Sequence, residues 1–188
     1  MAISTADFRT GLTIETGGQI YSIIGFQHVK PGKGGAFVRT RLRNLRTGAV
    51  IDNTFRAGER MEQAMIDRRK LQFLYRAGDD YTFMDLETFD QLALGKDVLG
   101  ESVAYLKPDS EVTMMKYQEE ILGVELPHTI DLTATKTDPG LRGDTATGGS
   151  KPATLETGAV VNVPLFVNEG DVIRVDTRTG KYLERVSQ

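Results

Sequence analysis

Val29-Lys30-Pro31-Gly32-Lys33-Gly34-Gly35-Ala36-Phe37 lies between two runs of strand-forming residues, Tyr21 to His28 and Ala36 to Arg43. Pro31 has no backbone N–H and a fixed φ, while Gly32, Gly34 and Gly35 open turn conformations closed to other residues. The stretch therefore reads as a hairpin tip, with Lys33 flanked by residues too small to shield its long cationic side chain. A strand of eight residues spans ~26 Å at ~3.3 Å per residue, which would hold such a tip clear of a small barrel. On spacing alone, a lysine on an exposed loop also fits ordinary solvated surface.

Downstream of the loop, Val38, Thr40 and Leu42 alternate with Arg39, Arg41 and Arg43. On a strand the two sets point to opposite faces, so three guanidinium groups share one face while Val38 and Leu42 turn inward. Arg46, Arg56 and Arg60 are candidates to extend that basic surface. A solvated outer strand face fits the same pattern; three arginines in register beside a lysine tip favour contact with a phosphate backbone. Upstream, Thr13-Ile14-Glu15 and Gln19-Ile20-Tyr21 flank Thr16-Gly17-Gly18, a hairpin signal.

Short alternating runs with glycine turns continue along the chain, the pattern of an all-β sandwich or barrel. Arg60 to Ile66 is compatible with a brief helix. Leu71 to Tyr75 and Tyr81 to Met84 read as a hairpin about Ala77-Gly78-Asp79-Asp80. Glu87 to Leu94 fits a short helix stopped by Gly95; Glu101 to Leu106 and Val112 to Tyr117 read as strands. Met114 and Met115 read as core fillers. Beyond Pro127, Ile130, Leu132 and Ala134 alternate with polar residues. After the long irregular stretch Asp138 to Pro152 come strands around Val160 to Leu165, Val172 to Asp176 and Tyr182 to Val186.

The 188 residues contain no cysteine and no tryptophan, which excludes disulfides, thiolate catalysis and cysteine-based zinc sites. No apolar run approaches the ~18 residues of a membrane span, and the N-terminus lacks the regions of a signal peptide. The expectation is a soluble cytoplasmic protein. The net charge of −3 is unevenly spread: +4 over residues 1–64, −6 over 65–128 and −1 over 129–188. A basic head on an acidic middle suggests a partner touched mainly by the first segment.

Enzymatic motifs fail. The glycine loop lacks the G-x-x-x-x-G-K-[ST] pattern and precedes a strand, not a helix. His28 and His128 are isolated and give no metal-ligand spacing. Asp79-Asp80 and Glu119-Glu120 are adjacent pairs whose side chains diverge on strands. No serine sits in a nucleophile elbow. The reading is of a chain without an active site, metal or cofactor.

Four stretches carry a family resemblance. Pro31-Gly32-Lys33-Gly34-Gly35-Ala36-Phe37 resembles the P-G-K-G-x-A-F loop of bacterial elongation factor P, and Thr54-Phe55-Arg56-Ala57-Gly58-Glu59 is similar to a second segment of that family. Lys151, Ala153, Gly158, Val161, Val163-Pro164, Val167 and Gly170 fit its C-terminal signature, and Gly143 to Gly149 fits a family loop.

The resemblance implies an SH3-like (KOW-like) barrel at 1–64 and two OB-like barrels at 65–127 and 128–188, in an L shape that mimics transfer RNA. It implies a monomeric ribosome-binding factor, not an enzyme, that enters between the peptidyl and exit sites and relieves stalling at consecutive prolines. Its partners would be ribosomal RNA of both subunits and peptidyl transfer RNA. Lys33 would be the tip, shaped by Pro31, Gly32, Gly34 and Gly35. Lys30, Arg39, Arg41, Arg43, Asp144, Thr145, Thr147, Tyr182 and Arg185 would contact RNA. Many family members extend the tip residue through a lysine-modifying enzyme; lysine at position 33 rules out the arginine-based route and does not choose among the rest. An elongation factor P-like paralogue, a general OB-fold binder of single strands and a phosphate-site enzyme are the competing readings.

Overall fold

The computed structural model describes residues 1–140 and 149–187. Among these residues it is mostly β, with three sheets, and it divides into two compact units, one formed by Met1–Arg68 with Met115–Gly123 and the other by Arg69–Met114 with Val124–Gln188.

In the first unit, β1 (Ala2–Ser4), β2 (Thr13–Thr16), β3 (Gln19–Val29), β4 (Phe37–Asn44), β5 (Val50–Arg56) and β6 (Arg60–Gln63) form one sheet, ordered β1-β6-β2-β3-β4-β5. The β2–β3 turn holds Gly17 at φ 56° and Gly18 at φ 72°. Two successive positive φ values are what a tight hairpin turn needs to match strand twist, and glycine supplies them without a Cβ clash. The alternation expected along β4 is present: Val38, Thr40 and Leu42 are buried, and Arg39, Arg41 and Arg43 are exposed. The inward set meets Phe8, Leu12, Ile14, Ile23 and Phe55 in one apolar cluster. Each fully buried side chain of this size contributes roughly 1.5–3 kcal/mol relative to exposure. Thr40 is tolerated among them because its hydroxyl donates to the Asn53 carbonyl at 2.7 Å.

Three expectations are corrected. Arg60 to Ile66 is not helical: Arg60–Gln63 is β6, which pairs with β1 and β2, Met61 faces the core cluster, and Ile66 opens the next strand. The short β1 supplies a partner from 56–60 residues away, and that pairing outweighs local helix compatibility. Glu87 to Leu94 is likewise not helical. It holds the turn between β8 (Asp80–Asp85) and β9 (Gln91–Gly95), and the only α-helical turn nearby, α1 (Lys96–Leu99), starts where helix was expected to stop. Asp85 decides this, since its Oδ1 accepts the backbone N–H of Glu87 at 2.8 Å and of Thr88 at 3.1 Å, closing a turn in place of a helix. Glu101 to Leu106 runs through a 3-10 segment, Gly100–Tyr105, instead of a strand. Its Ala104 carbonyl accepts the Thr157 hydroxyl at 2.5 Å rather than a strand N–H.

The second and third sheets share a topology. β7 (Ile66–Ala77) is central to the order β11-β10-β7-β8-β9, with β10 (Glu111–Tyr117) and β11 (Glu120–Glu125) on one side. The third sheet repeats it as β14-β13-β12-β15-β16, formed by β12 (Thr129–Thr137), β13 (Ser150–Leu155), β14 (Val160–Pro164), β15 (Val172–Asp176) and β16 (Lys181–Ser187). In both, the first strand pairs with the second and the fourth, the arrangement of a five-stranded OB barrel. Among the second sheet's strands, Phe73 packs on Phe83 at 5.4 Å and on Tyr81 at 5.9 Å between ring centroids. In the third, Leu132, Ala134, Ala153, Leu155, Val161, Val163, Val167, Ile173 and Val175 form the core.

The C-terminal signature thus turns out to be a folding pattern. Ala153, Val161, Val163 and Val167 are core residues. Lys151 is buried, and its ammonium donates to the Asp138 carbonyl at 2.5 Å. A buried cation needs such a partner.

Carboxylates in the second unit are held in their charged form. Asp176 accepts the Arg178 guanidinium at 2.7 and 3.1 Å and the Arg178 backbone N–H at 2.9 Å, which lowers its pKa to about 2. Arg174 lowers Asp131 through a two-point contact at 2.7 and 3.0 Å, and the Glu87 and Thr88 N–H groups lower Asp85. An unfolded aspartate titrates near ~3.9, so between the two values the unfolded chain binds more protons. These contributions are fully present above ~4 and are lost as pH falls through about 2 for Asp176. Thermal unfolding followed by circular dichroism is therefore expected to hold its midpoint from pH 7 to 5 and to drop steadily below pH ~4. Asp176→Asn should flatten part of that drop; an unchanged acid profile in the variant would show that Asp176 carries none of it.

Candidate functional site

The β3–β4 hairpin carries the site. Its last paired residues are Val29 and Phe37, so Lys30 to Ala36 form the connecting loop. Lys30, Pro31, Gly32, Lys33, Gly34 and Gly35 are all exposed. Gly34 sits at φ 102°, a conformation that strains any residue with a Cβ. Gly32 and Gly35 differ: neither has a positive φ, and a Cβ on either would meet nothing within 4 Å. The fold itself therefore does not demand glycine at those two positions, whereas a surface approaching the loop backbone closely would.

Below the loop, β3, β4 and β5 present an outer face. Gln27 pairs with Arg39 and Arg39 with Thr54; Gly25 pairs with Arg41 and Arg41 with Asp52. These residues line an open groove of about 520 Å³. Arg39 lies over the Phe37 ring at 5.5 Å, and Arg41 stands 3.7 Å from the Asp52 carboxylate with both side chains largely in solvent. Alternate residues on a strand repeat every ~6.6 Å, so Arg39, Arg41 and Arg43 form a row of about 13 Å. A row of guanidinium forks with an ammonium on the loop above suits an anionic polymer better than one small anion.

The wider arginine surface expected from the sequence is reduced. Arg46 is clamped by Glu120, with Nε to Oε1 at 2.8 Å and Nη2 to Oε2 at 2.6 Å. That two-point contact lowers the Glu120 pKa and raises that of Arg46, so both stay charged and bound to each other. The partner lies 74 residues along the chain, and no local pattern marks it. Arg56 and Arg60 are exposed at either side of the β5–β6 turn.

In the second unit, Tyr182 is half-buried against the third-sheet core and lines a groove of about 830 Å³ with Asn162, Thr179 and Lys181. Arg185 lies 3.5 Å from Asp171 and 5.2 Å over the Phe166 ring. Asp144, Thr145 and Thr147 fall outside the described residues. Among the described residues, no helix is long and apolar enough to cross a membrane, and no group of three or more His, Asp or Glu could hold a metal ion.

Family models cover the chain in three pieces: the elongation factor P KOW-like domain at residues 4–61, its OB domain at 66–124 and its C-terminal domain at 130–185. Elongation factor P of Moorella thermoacetica is 57% identical over 97% of this chain and 99% of its own length. The chain belongs to the elongation factor P family. Elongation factor P of Pelotomaculum thermopropionicum is 58% identical, covering 98% of this chain and 100% of the relative. Among solved structures, the eukaryotic translation initiation factor 5A from Methanococcus jannaschii aligns with a TM-score of 0.52 and 28% identity, covering 66% of this chain and 93% of its own. A factor of the same kind from Naegleria fowleri, 17% identical with a TM-score of 0.52, shares the fold. An elongation factor P chain with KOW-like and OB domains is a translation elongation factor. Its Lys33 loop and arginine row both lie within the KOW-like domain.

Proposed function

We propose that this chain binds the ribosome between the peptidyl and exit sites and stimulates peptide bond formation, relieving stalling at consecutive prolines. The observation that supports this most is Lys33, exposed on a connecting loop at the end of a hairpin whose outer face carries the exposed Arg39, Arg41 and Arg43. The row grips phosphates of the peptidyl transfer RNA, and the Lys33 ammonium, bare or lengthened by a lysine-modifying enzyme, steadies the acceptor end. Proline is a rigid, poorly placed nucleophile, and orientation alone is worth up to ~7–11 kcal/mol in well-placed reactions. A factor supplying ~1.4 kcal/mol already gives a tenfold rate. No residue of the factor exchanges bonds in this scheme.

The remaining parts of the proposal are barrels at 1–64, 65–127 and 128–188, a monomer in the cytoplasm, and RNA contacts through Lys30, Asp144, Thr145, Thr147, Tyr182 and Arg185. Support for the barrel limits comes from the three sheets, each formed by strands from within one of those ranges. In a reconstituted translation system, adding the purified protein is expected to speed synthesis of a proline-run reporter and to leave a proline-free control unchanged. Equal rates with and without the protein on both messages would remove the proposal.

A further inference from the structure

The β8–β9 turn places a bulky aromatic residue in left-handed backbone, a conformation filled mostly by glycine elsewhere among the described residues. Among the described residues, left-handed backbone is taken by glycine at twelve positions and otherwise by Asp109, Gln118 and Phe89. Phe89 has φ 63° and is 69% exposed. A bulky side chain is an outlier in that conformation, and an aromatic ring in water gains nothing from burial. Glycine or asparagine would suit both the backbone and the solvent.

The ring does not hold the turn together. Phe89 N–H donates to the Asp85 carbonyl at 2.8 Å, Asp85 N–H to the Asp90 carbonyl at 2.9 Å and Leu86 N–H to the Lys70 carbonyl at 3.0 Å. Asp85 Oδ1 takes the Glu87 and Thr88 N–H groups, and Asp90 N–H reaches the Thr88 hydroxyl at 3.3 Å. Every backbone donor from Asp85 to Asp90 is thus used, and the turn is a stiff pedestal. Outliers held by an over-determined frame are where function is sought.

We propose that Phe89 is a docking knob for a basic protein surface bearing an apolar pocket. This rests on the reading that the chain works on the ribosome, and it names protein rather than RNA as the partner of this turn. The exposed charges on the turn are Glu87 and Asp90. The cations at its foot are Arg69, 3.5 Å from the Asp85 carboxylate, and Lys70. Residues 65–128 carry a net charge of −6, the same sign as Glu87 and Asp90 on the turn. Phosphates brought within a screening length of ~8 Å would be repelled, whereas a cationic rim is attracted and steered. Aromatic side chains seated in pockets dominate protein interfaces of this kind.

The test uses the whole 188-residue chain and purified ribosomes. Phe89→Asn is expected to unfold at the same or a higher temperature than the parent and to bind ribosomes about tenfold more weakly in a pelleting assay. A photoreactive benzophenone analogue of phenylalanine at position 89 is expected to cross-link to a ribosomal protein. A lowered unfolding temperature would make the ring a structural residue and overturn the proposal. So would unchanged affinity, a cross-link to RNA, or no cross-link while the protein still pellets. Failure of the parent protein to pellet is a separate result, since it overturns the ribosomal reading itself and the docking knob with it.

Discussion

A chain carrying Lys33→Ala is expected to fold as the parent does and to lose its stimulation of proline-run synthesis by tenfold or more. The two halves of that expectation have separate physical grounds. Lys33 is exposed, and among the described residues no hydrogen bond or ion pair involves its side chain. The cluster under the hairpin, with Ile23, Val38 and Leu42 fully buried, is untouched by the change. Surface substitutions of this kind usually shift stability by no more than ~0.5 kcal/mol. On the functional side, a hydrogen bond to a charged group is worth roughly 1.5–3 kcal/mol, and ~1.4 kcal/mol is a factor of ten in rate. Lys33→Arg separates charge from shape, because a guanidinium keeps the charge but presents a rigid planar fork. It is expected to fall between parent and alanine variant. Rates on proline-run and proline-free reporters, measured beside thermal unfolding, check both halves. A Lys33→Ala chain that supports the parent's rate would end the assignment of this side chain. A chain that loses rate and stability together would point to the loop's fold instead.

That a lysine loop stood on a basic strand was legible because period-two alternation and glycine spacing are local signals. Arg39, Arg41 and Arg43 fall on one face for the same reason that Val38 and Leu42 fall on the other, and nothing distant alters it. What the sequence hid was decided by distant partners. β1 and β6 are three and four residues long and exist through each other. β13 begins at Ser150, inside a stretch read as irregular, because β12 and β14 lie on either side of it. Arg46 reads as one more surface cation until Glu120 is brought beside it. Phe89 carried no signal as a site at all, because its backbone conformation, not its identity, makes it unusual.

The largest loss of stability is expected from Leu122→Ala. The Met115–Gly123 part of the β10–β11 hairpin belongs to the first unit, where Met115 and Leu122 meet Ile20 and Ala64 in a small buried cluster. Leu45, Ile66 and Tyr117 lie against its edge. Removing a buried leucine side chain costs ~2–5 kcal/mol, more where neighbours cannot close the cavity. A cluster with four buried members has little freedom to do so. The polar contacts of the same hairpin are more conspicuous: the Arg46–Glu120 clamp, and the Tyr117 hydroxyl donating to Glu15 at 3.0 Å. Their side chains are substantially in water, with Arg46 30% and Glu120 52% exposed, so solvent replaces most of what either contact gives. Apolar burial should therefore dominate, and Arg46→Ala should cost far less than Leu122→Ala. Urea unfolding gives the totals, and hydrogen exchange over 115–123 shows whether the hairpin opens first. Equal losses from the two variants would mean that the ion pair holds the hairpin. The Lys33 loop stands on a different cluster, so Leu122→Ala should lower activity only as far as it lowers the folded fraction.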